Sequence, residues 1–412
     1  MAKELNRSYT VSLQKVDHWI QRSMSPSIPA PDDAVREGAQ QGFDPDAPTQ
    51  MLSYHSALSK QVTPARVEEP KGEMSWNARY RILRKLGSGA QGVVYLALRE
   101  GVDGYSTKVA IKLYARDKSV SESAHVTEMQ RIAHQGQKIS EIQHDNLVNI
   151  RDFVALGDTR VMVMEWIDGL DLRDLLSLDL YRASEARIAN EEWDRLNDVL
   201  VTPGEDHCIL RPAAAVDILR GCLAGLSSLH HHEIIHSDLK PSNIMIKRTG
   251  TKKLIDMDSS CDRQVNLRAE VRGTPYYMAP ELIKERDVRY RSDIASLGYV
   301  LIEMLTGKLL FKKCKTLDQL LEKKLRLPKE LPVLAKSVPR YENLDLRLDL
   351  LELCSKMIAI DPTERFPDAE AADLGKLGAA SFHRQLVKHD LSAEYSRDLG
   401  WWIDLVHPFE EE

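Results

Sequence analysis

The run His236-Ser237-Asp238-Leu239-Lys240-Pro241-Ser242-Asn243 holds one carboxylate, one amine and one amide at fixed offsets. Before it, Ala213–His232 repeats apolar residues at helical spacing (Val216, Leu219, Leu223, Leu226, Leu229). After it comes the apolar run Ile244-Met245-Ile246. The change from helical to strand character forces a short loop, and a loop held by two apolar elements fixes polar groups rigidly. Asp238 can take a proton from an attacking hydroxyl, Lys240 can neutralise a moving phosphoryl group, and Asn243 can hold a divalent metal through its side-chain oxygen. Phosphoryl transfer needs that set, because its catalysis is mostly positioning and charge neutralisation.

The loop resembles the catalytic loop of eukaryotic-like Ser/Thr protein kinases, H-R-D-x-K-x-x-N, with Ser237 where Arg is usual. Other motifs follow the family in order. Gly87-Ser88-Gly89-Ala90-Gln91-Gly92 is flanked by alternating apolar residues on both sides, which predicts a hairpin with a bare turn. Glycines let backbone N–H groups approach phosphate oxygens. A strand on each side, rather than a helix after the glycines, disfavours a dinucleotide-binding reading. Val109-Ala110-Ile111-Lys112 resembles the strand whose lysine grips the α- and β-phosphates. By the same resemblance Glu128 is the acidic partner of Lys112, with Glu122 and Glu141 as alternatives on the long helical segment that follows.

Met164-Glu165-Trp166-Ile167-Asp168-Gly169 looks like the hinge between lobes, with Met164 as gatekeeper, Glu165 offering backbone to adenine and Asp171 a ribose contact. The resemblance also implies Leu86 as a nucleotide contact, with Val94 and Ala110 above the adenine and Met245 below it. Asp256-Met257-Asp258 matches the D-F-G motif only at its metal-binding first position. Met can fill the apolar slot, but Asp258 lacks the backbone freedom of Gly, which predicts a motif less able to flip. Gly273-Thr274-Pro275-Tyr276-Tyr277-Met278-Ala279-Pro280-Glu281 resembles the substrate-docking end of Ser/Thr kinases, and Cys261–Gly273 ahead of it contains no Ser, Thr or Tyr. With Ser237 in place of the phosphate-reading Arg, this predicts activity independent of activation-loop phosphorylation. Asp293 is expected to brace the catalytic loop, and Arg365, in Asp361-Pro-Thr-Glu-Arg365, to pair with Glu281.

The resemblance covers roughly residues 79–372 and implies an α+β, bilobal protein kinase fold, with a small β-rich N-lobe carrying one main helix and a larger, mostly helical C-lobe. The expected domains are a largely disordered arm over 1–78, a kinase domain over 79–375 and a helical extension over 376–412. Within the kinase domain the N-lobe is 79–167 and the C-lobe 168–375, with an insertion over 177–211 read as one helix and a loop. Seven of the 18 prolines fall in the arm, which leaves little room there for a periodic apolar face; Leu13, Val16 and Ile20 mark one short helix. Adjacent Trp401 and Trp402 are read as finishing a core.

The implied cofactors are ATP and Mg2+, and the implied partner is a protein substrate with a Ser or Thr acceptor. The arm or the 177–211 insertion could also bind a partner. A net charge of −6 offers no basic face for nucleic acid. Cys208, Cys222, Cys261, Cys314 and Cys354 are scattered singly, which suits a reducing compartment. No uninterrupted run approaches the ~18 apolar residues of a membrane span, and residues 1–15 lack an apolar signal core. The expectation is a cytoplasmic protein.

Two other readings compete. A pseudokinase scaffold would explain Ser237, Met257 and Asp258, but Lys112, Asp238, Lys240, Asn243 and Asp256 are all present. A small-molecule kinase of the aminoglycoside or choline type shares the H-x-D-x-x-x-x-N loop but lacks the G-T-P-x-Y-x-A-P-E segment.

Overall fold

The computed structural model describes residues 79–89, 92–114, 121–156, 159–262, 273–285, 288–336, 344–387 and 395–406. The arm over 1–78 and residues 263–272 of the expected activation loop, 259–281, lie outside them. Contacts divide the chain into two units, residues 1–82 with 98–107 and residues 83–97 with 108–412; every site residue lies in the second.

In the first unit, Arg81 pairs with Glu100 at 2.9 Å. Asp103 and Gly104 both adopt positive φ at a turn closed by the Gly101 N–H on the Tyr105 carbonyl. Positive φ at both central positions is the geometry that lets a tight hairpin follow the twist of its strands.

The strands β1 (Arg79–Gly89), β2 (Gly92–Glu100), β3 (Ser106–Tyr114), β4 (Ile150–Leu156) and β5 (Thr159–Glu165) form a sheet in the order β1-β2-β3-β5-β4. β3 and β5 run antiparallel, with Ala110 opposite Met164 and Lys112 opposite Met162. Helix α1 (Glu122–Ser140), capped by the Ser121 hydroxyl on the Ala124 N–H, packs on β4 and buries Met129, Ile132 and Ile139.

Beyond the sheet, β6 (Gly169–Asp171) leads into α2 (Leu172–Leu175). The segment expected to hold one helix and a loop instead contains two helices, α3 (Leu178–Glu185) and α4 (Asn190–Val199). A hairpin of β7 (Val201–Pro203) and β8 (Cys208–Leu210) follows them. Ser177 caps α3, and Glu191 and Glu192 occupy the first turn of α4, where the helix dipole favours acid. Those local signals sit in a stretch whose charge had read as solvated surface.

Helix α5 (Pro212–His231) starts on a proline at N1 and buries Ile218, Leu219, Leu223, Leu226 and Leu229 almost completely. Each such side chain contributes about 1.5–3 kcal/mol of burial. By length and composition α5 could cross a membrane, the one helix among the described residues to do so, and most of it is buried within the protein. β9 (Ile234–Ile235) follows, then the catalytic-type loop, then β10 (Ile244–Lys247) and β11 (Lys252–Leu254), which pair antiparallel, with β6 on the other edge of β10. β12 (Cys261–Asp262) pairs with β9.

Helix α6 (Pro280–Glu285) precedes α7 (Tyr290–Thr306), which is buried along its length and stops at Gly307, left-handed at φ 60°. Then come α8 (Leu317–Lys336), α9 (Leu344–Met357), α10 (Ala369–Leu374), α11 (Ala379–Val387) and α12 (Tyr395–Val406). α12 packs on α5, α3 and β10. Trp402 is fully buried there and Trp401 half-buried, lying against the Arg195 guanidinium.

Candidate active site

The loop between β9 and β10 owes its shape to Asp293 on α7. One carboxylate oxygen accepts from the His236 N–H at 2.9 Å and from His230 Nε2 at 3.1 Å, and the other accepts from the Ser237 N–H at 2.9 Å. Ser237 is thereby held left-handed, at φ 67°. A buried carboxylate needs such partners, because an unpaired one would be costly to desolvate. The bracing role expected of Asp293 is met.

From this loop, Lys240 Nζ reaches Asp238 Oδ2 at 2.6 Å and Thr274 Oγ1 at 2.9 Å. The other Asp238 oxygen accepts from the Thr274 N–H at 2.8 Å and from its hydroxyl at 2.9 Å. Asn243 Nδ2 donates to the Asp238 carbonyl at 2.8 Å and to its carboxylate at 3.2 Å. Asp238, Lys240, Asn243 and Thr274 thus form one connected group. Thr274, from the Gly273–Glu281 run, touches both the acid and the amine.

The second group centres on Lys112, which is buried on β3. Its ammonium lies 2.7 Å from Asp256 Oδ1 and 2.5 Å from Asp258 Oδ2, the latter an ion contact rather than an aligned hydrogen bond. Burial alone would lower the Lys112 pKa, but Asp258 and Asp256 outweigh it and raise it. Burial alone would likewise raise the Asp256 carboxyl, yet the Lys112 ammonium holds it below the usual carboxylate value. Asp258 goes the other way, raised by burial against the opposing pull of Lys112. Asp256 itself is left-handed, at φ 60°.

The sequence reading paired Lys112 with Glu128, and the structure corrects this. Glu128 takes the Arg131 guanidinium at 3.0 and 3.1 Å. Arg131 also donates to the Asp258 carbonyl and, at 3.1 Å, to the Ser260 carbonyl. The tyrosine two residues after Lys112, Tyr114, donates to Asp258 Oδ1 at 2.8 Å. Sequence reasoning passed over Tyr114 and Arg131. Its one usable signal was Asp258 itself, a charged residue where glycine was expected.

The remaining expected residues fall on the sheet and hinge. A Cβ added at Gly87 would meet nothing within 4 Å, whereas one at Gly92 would lie 2.1 Å from the Leu113 carbonyl oxygen. Glycine at 87 therefore leaves open space, and glycine at 92 permits close strand packing. Leu86 is exposed, Gly89 ends β1, and Val94 and Ala110 stand on neighbouring strands. Glu165 spends its N–H on the Asn149 carbonyl and its carboxylate on Lys253 at 2.6 Å, so an adenine contact from it would use its carbonyl. Asp171 lies opposite Met245 in the β6–β10 register. It caps α2, accepting from the Asp174 N–H at 2.9 Å, and burial raises its pKa.

A divalent cation fits the donor set. Among the described residues no group of three or more His, Cys, Asp or Glu forms a complete cage. Mg2+ commonly takes only one or two carboxylates and fills its shell with phosphate oxygens and water. Asp256 stays ionised and partly open, with its side chain 32% exposed, and the amide nitrogen of Asn243 is already committed to Asp238, which leaves its oxygen for a metal. Asp256 and Asn243 are the residues that would hold it.

Comparison with known families agrees with this geometry. The family described as Protein kinase domain matches residues 80–374. The chain belongs to the protein kinase family. It is 28% identical over 302 residues to the serine/threonine-protein kinase CLA4 of Candida albicans, covering 73% of this chain and 26% of that protein. Similarity to the serine/threonine-protein kinase pkn2 of Myxococcus xanthus is 29% over 309 residues, covering 72% and 32%. To the serine/threonine-protein kinase STE20 of Saccharomyces cerevisiae it is 29% over 246 residues, covering 59% and 22%. The chain thus spans about a third or less of the length of these relatives.

Glu281 and Glu303 tie distant segments of the matched region together. Arg365 and Glu281 pair as expected, at 2.6 and 2.8 Å. The turn of the β7–β8 hairpin carries His207, whose Nδ1 lies 2.7 Å from Glu303 Oε1, while Glu303 Oε2 accepts from the Tyr277 hydroxyl at 2.7 Å. Glu303 therefore stands between the 177–211 segment and the segment expected to dock substrate.

Proposed function

We propose that this chain transfers the γ-phosphoryl group of ATP to Ser or Thr hydroxyls of protein substrates. The observation that carries the proposal is the convergence of Lys240, Asn243 and Thr274 on the Asp238 carboxylate, beside a second group built on Lys112 and Asp256. The Asp238 carboxylate accepts the acceptor hydroxyl's proton as that oxygen bonds to the γ-phosphorus and the bond to the β-phosphate oxygen breaks, releasing ADP. Lys240 offsets charge on the moving phosphoryl oxygens, and Lys112 orients the α- and β-phosphates. Asp256 and Asn243 would hold Mg2+, which would supply charge neutralisation for the phosphates.

Activity without activation-loop phosphorylation is part of this reading. Its support is the absence of Ser, Thr and Tyr from Cys261–Gly273 and the way Asp293 braces the backbone at Ser237. A phosphatase-treated sample should keep its rate. We place the protein in the cytoplasm, because all five cysteines are free in the structure.

The test is transfer from radiolabelled ATP with magnesium to the protein itself and to a generic basic substrate, comparing wild type with Asp238→Asn. Label on Ser or Thr that is lost in the variant supports the proposal. No label in either, with nucleotide still bound, would replace it with the scaffold reading.

A further inference from the structure

We infer that Asp258 is the positioning carboxylate for Lys112, and that by holding the lysine it leaves Asp256 available to a divalent cation. The inference rests on the phosphoryl-transfer reading of the same site.

The two aspartates contact one ammonium but differ in access. The Asp258 side chain is sealed, 3% exposed, whereas that of Asp256 is 32% exposed. Only the outer carboxylate can reach a ligand. The inner one is committed on both oxygens, to Lys112 on one and to the Tyr114 hydroxyl at 2.8 Å on the other. A buried ion contact of this kind holds its geometry because neither partner can be exchanged for water.

The turn that carries Asp258 is itself pinned. The short 3-10 helix Met257–Ser259 and the residue after it present carbonyls to Arg131 of α1, which bonds those of Asp258 and Ser260. Glu128 grips the same guanidinium through both carboxylate oxygens. Glu128 therefore acts on the turn through Arg131, and the carboxylate that meets Lys112 comes from the turn.

Charge explains why a second carboxylate matters. With Asp256 as its only partner, Lys112 would hold the oxygen that a metal needs, and the two cations would compete for it. Asp258 gives the lysine a partner of its own, so Asp256 can turn toward a metal without stranding a buried ammonium.

The experiment measures equilibrium binding of adenylyl imidodiphosphate to the full chain across a range of Mg2+ concentrations, for wild type, Asp258→Asn and Glu128→Gln. Loss of an outer-shell partner commonly weakens metal affinity by 10–100-fold, so Asp258→Asn should raise the half-saturating Mg2+ by about 10-fold or more. Glu128→Gln should shift it clearly less. If Asp258→Asn does not fold, Tyr114→Phe, which removes the bond orienting Asp258, should move half-saturation in the same direction by a smaller factor. An unchanged Mg2+ requirement in Asp258→Asn (or in Tyr114→Phe if that is the variant measured), or a larger shift in Glu128→Gln, overturns the inference. Because the analogue is not turned over, failure of the wild type to transfer phosphate would count against the kinase reading alone.

Discussion

Arg365 meets Glu281 through two parallel contacts, Nη1 to Oε1 at 2.6 Å and Nη2 to Oε2 at 2.8 Å, although the two are 84 residues apart. Both are buried, and the pair is completed by Ser292 on the carboxylate and by the Ala359 and Arg291 carbonyls on the guanidinium. Breaking such a pair strands a charge. Arg365→Ala should lower stability by about 3–5 kcal/mol in urea unfolding. Adding Glu281→Gln in the Arg365→Ala background should recover part of that loss, since no unpaired carboxylate remains.

Two glycines of one motif should behave differently. Gly87→Ala meets open space and should fold like wild type, yet its methyl group would stand where phosphate approaches, so ATP affinity should fall. Gly92→Ala drives a Cβ to 2.1 Å from the Leu113 carbonyl oxygen and should unfold more readily. Overpacking of that kind costs about 1–3 kcal/mol. Thermal denaturation with and without ATP separates the two effects.

Lys324 is buried and donates to the Tyr276 carbonyl at 2.7 Å, with the Tyr299 and Phe311 rings 3.8 and 4.0 Å from its nitrogen. Burial pushes its pKa well below the usual lysine value, and the two ring faces offset part of that cost. The unfolded chain then binds a proton that the folded chain gives up. Stability accordingly rises with pH from the folded pKa up to the ordinary lysine value of about 10.4. Urea unfolding of wild type and Lys324→Met across the alkaline range should show the wild type gaining on the variant as pH rises.

Helix α12 docks by close backbone approach. A Cβ at Gly400 would lie 2.0 Å from the Arg248 carbonyl oxygen, and one at Gly250, at φ 79°, would lie 1.9 Å from that of Ser396. Gly400→Ala should cost about 1–3 kcal/mol, and Trp402→Ala about 3–5 kcal/mol because the indole is fully buried. Trp401→Ala should cost about 1 kcal/mol, the scale of its exposed cation–π contact with Arg195. Melting temperatures of the three variants give the order.

His207 should influence the protein acceptor more than the nucleotide, since Glu303 links it to Tyr277. His207→Ala should raise the KM for an acceptor peptide by about fivefold, the equivalent of losing one polar contact of about 1 kcal/mol. The KM for ATP should stay near its wild-type value. Steady-state kinetics with each substrate varied in turn checks this.

The kinase fold, the catalytic loop and the Arg365–Glu281 pair were legible because their residues sit in short runs with fixed offsets. Asp238, Lys240 and Asn243 converge in one loop, so their spacing alone nearly determines their geometry. The helices and hairpin of 177–211 were legible only in part: Ser177 and the acidic first turn of α4 mark helix starts, but the seat these elements find against α12 and Glu303 leaves no local mark.

The partner of Lys112 was beyond any local reading. Asp256 is 144 residues away, and whether Lys112 meets Glu128 or Asp258 depends on how α1 and the Met257–Ser259 turn pack against β3. Several carboxylates in the sequence satisfy the same charge requirement. Side-chain chemistry therefore establishes that a buried lysine needs an acid, whereas the packing of distant elements selects which acid is within reach.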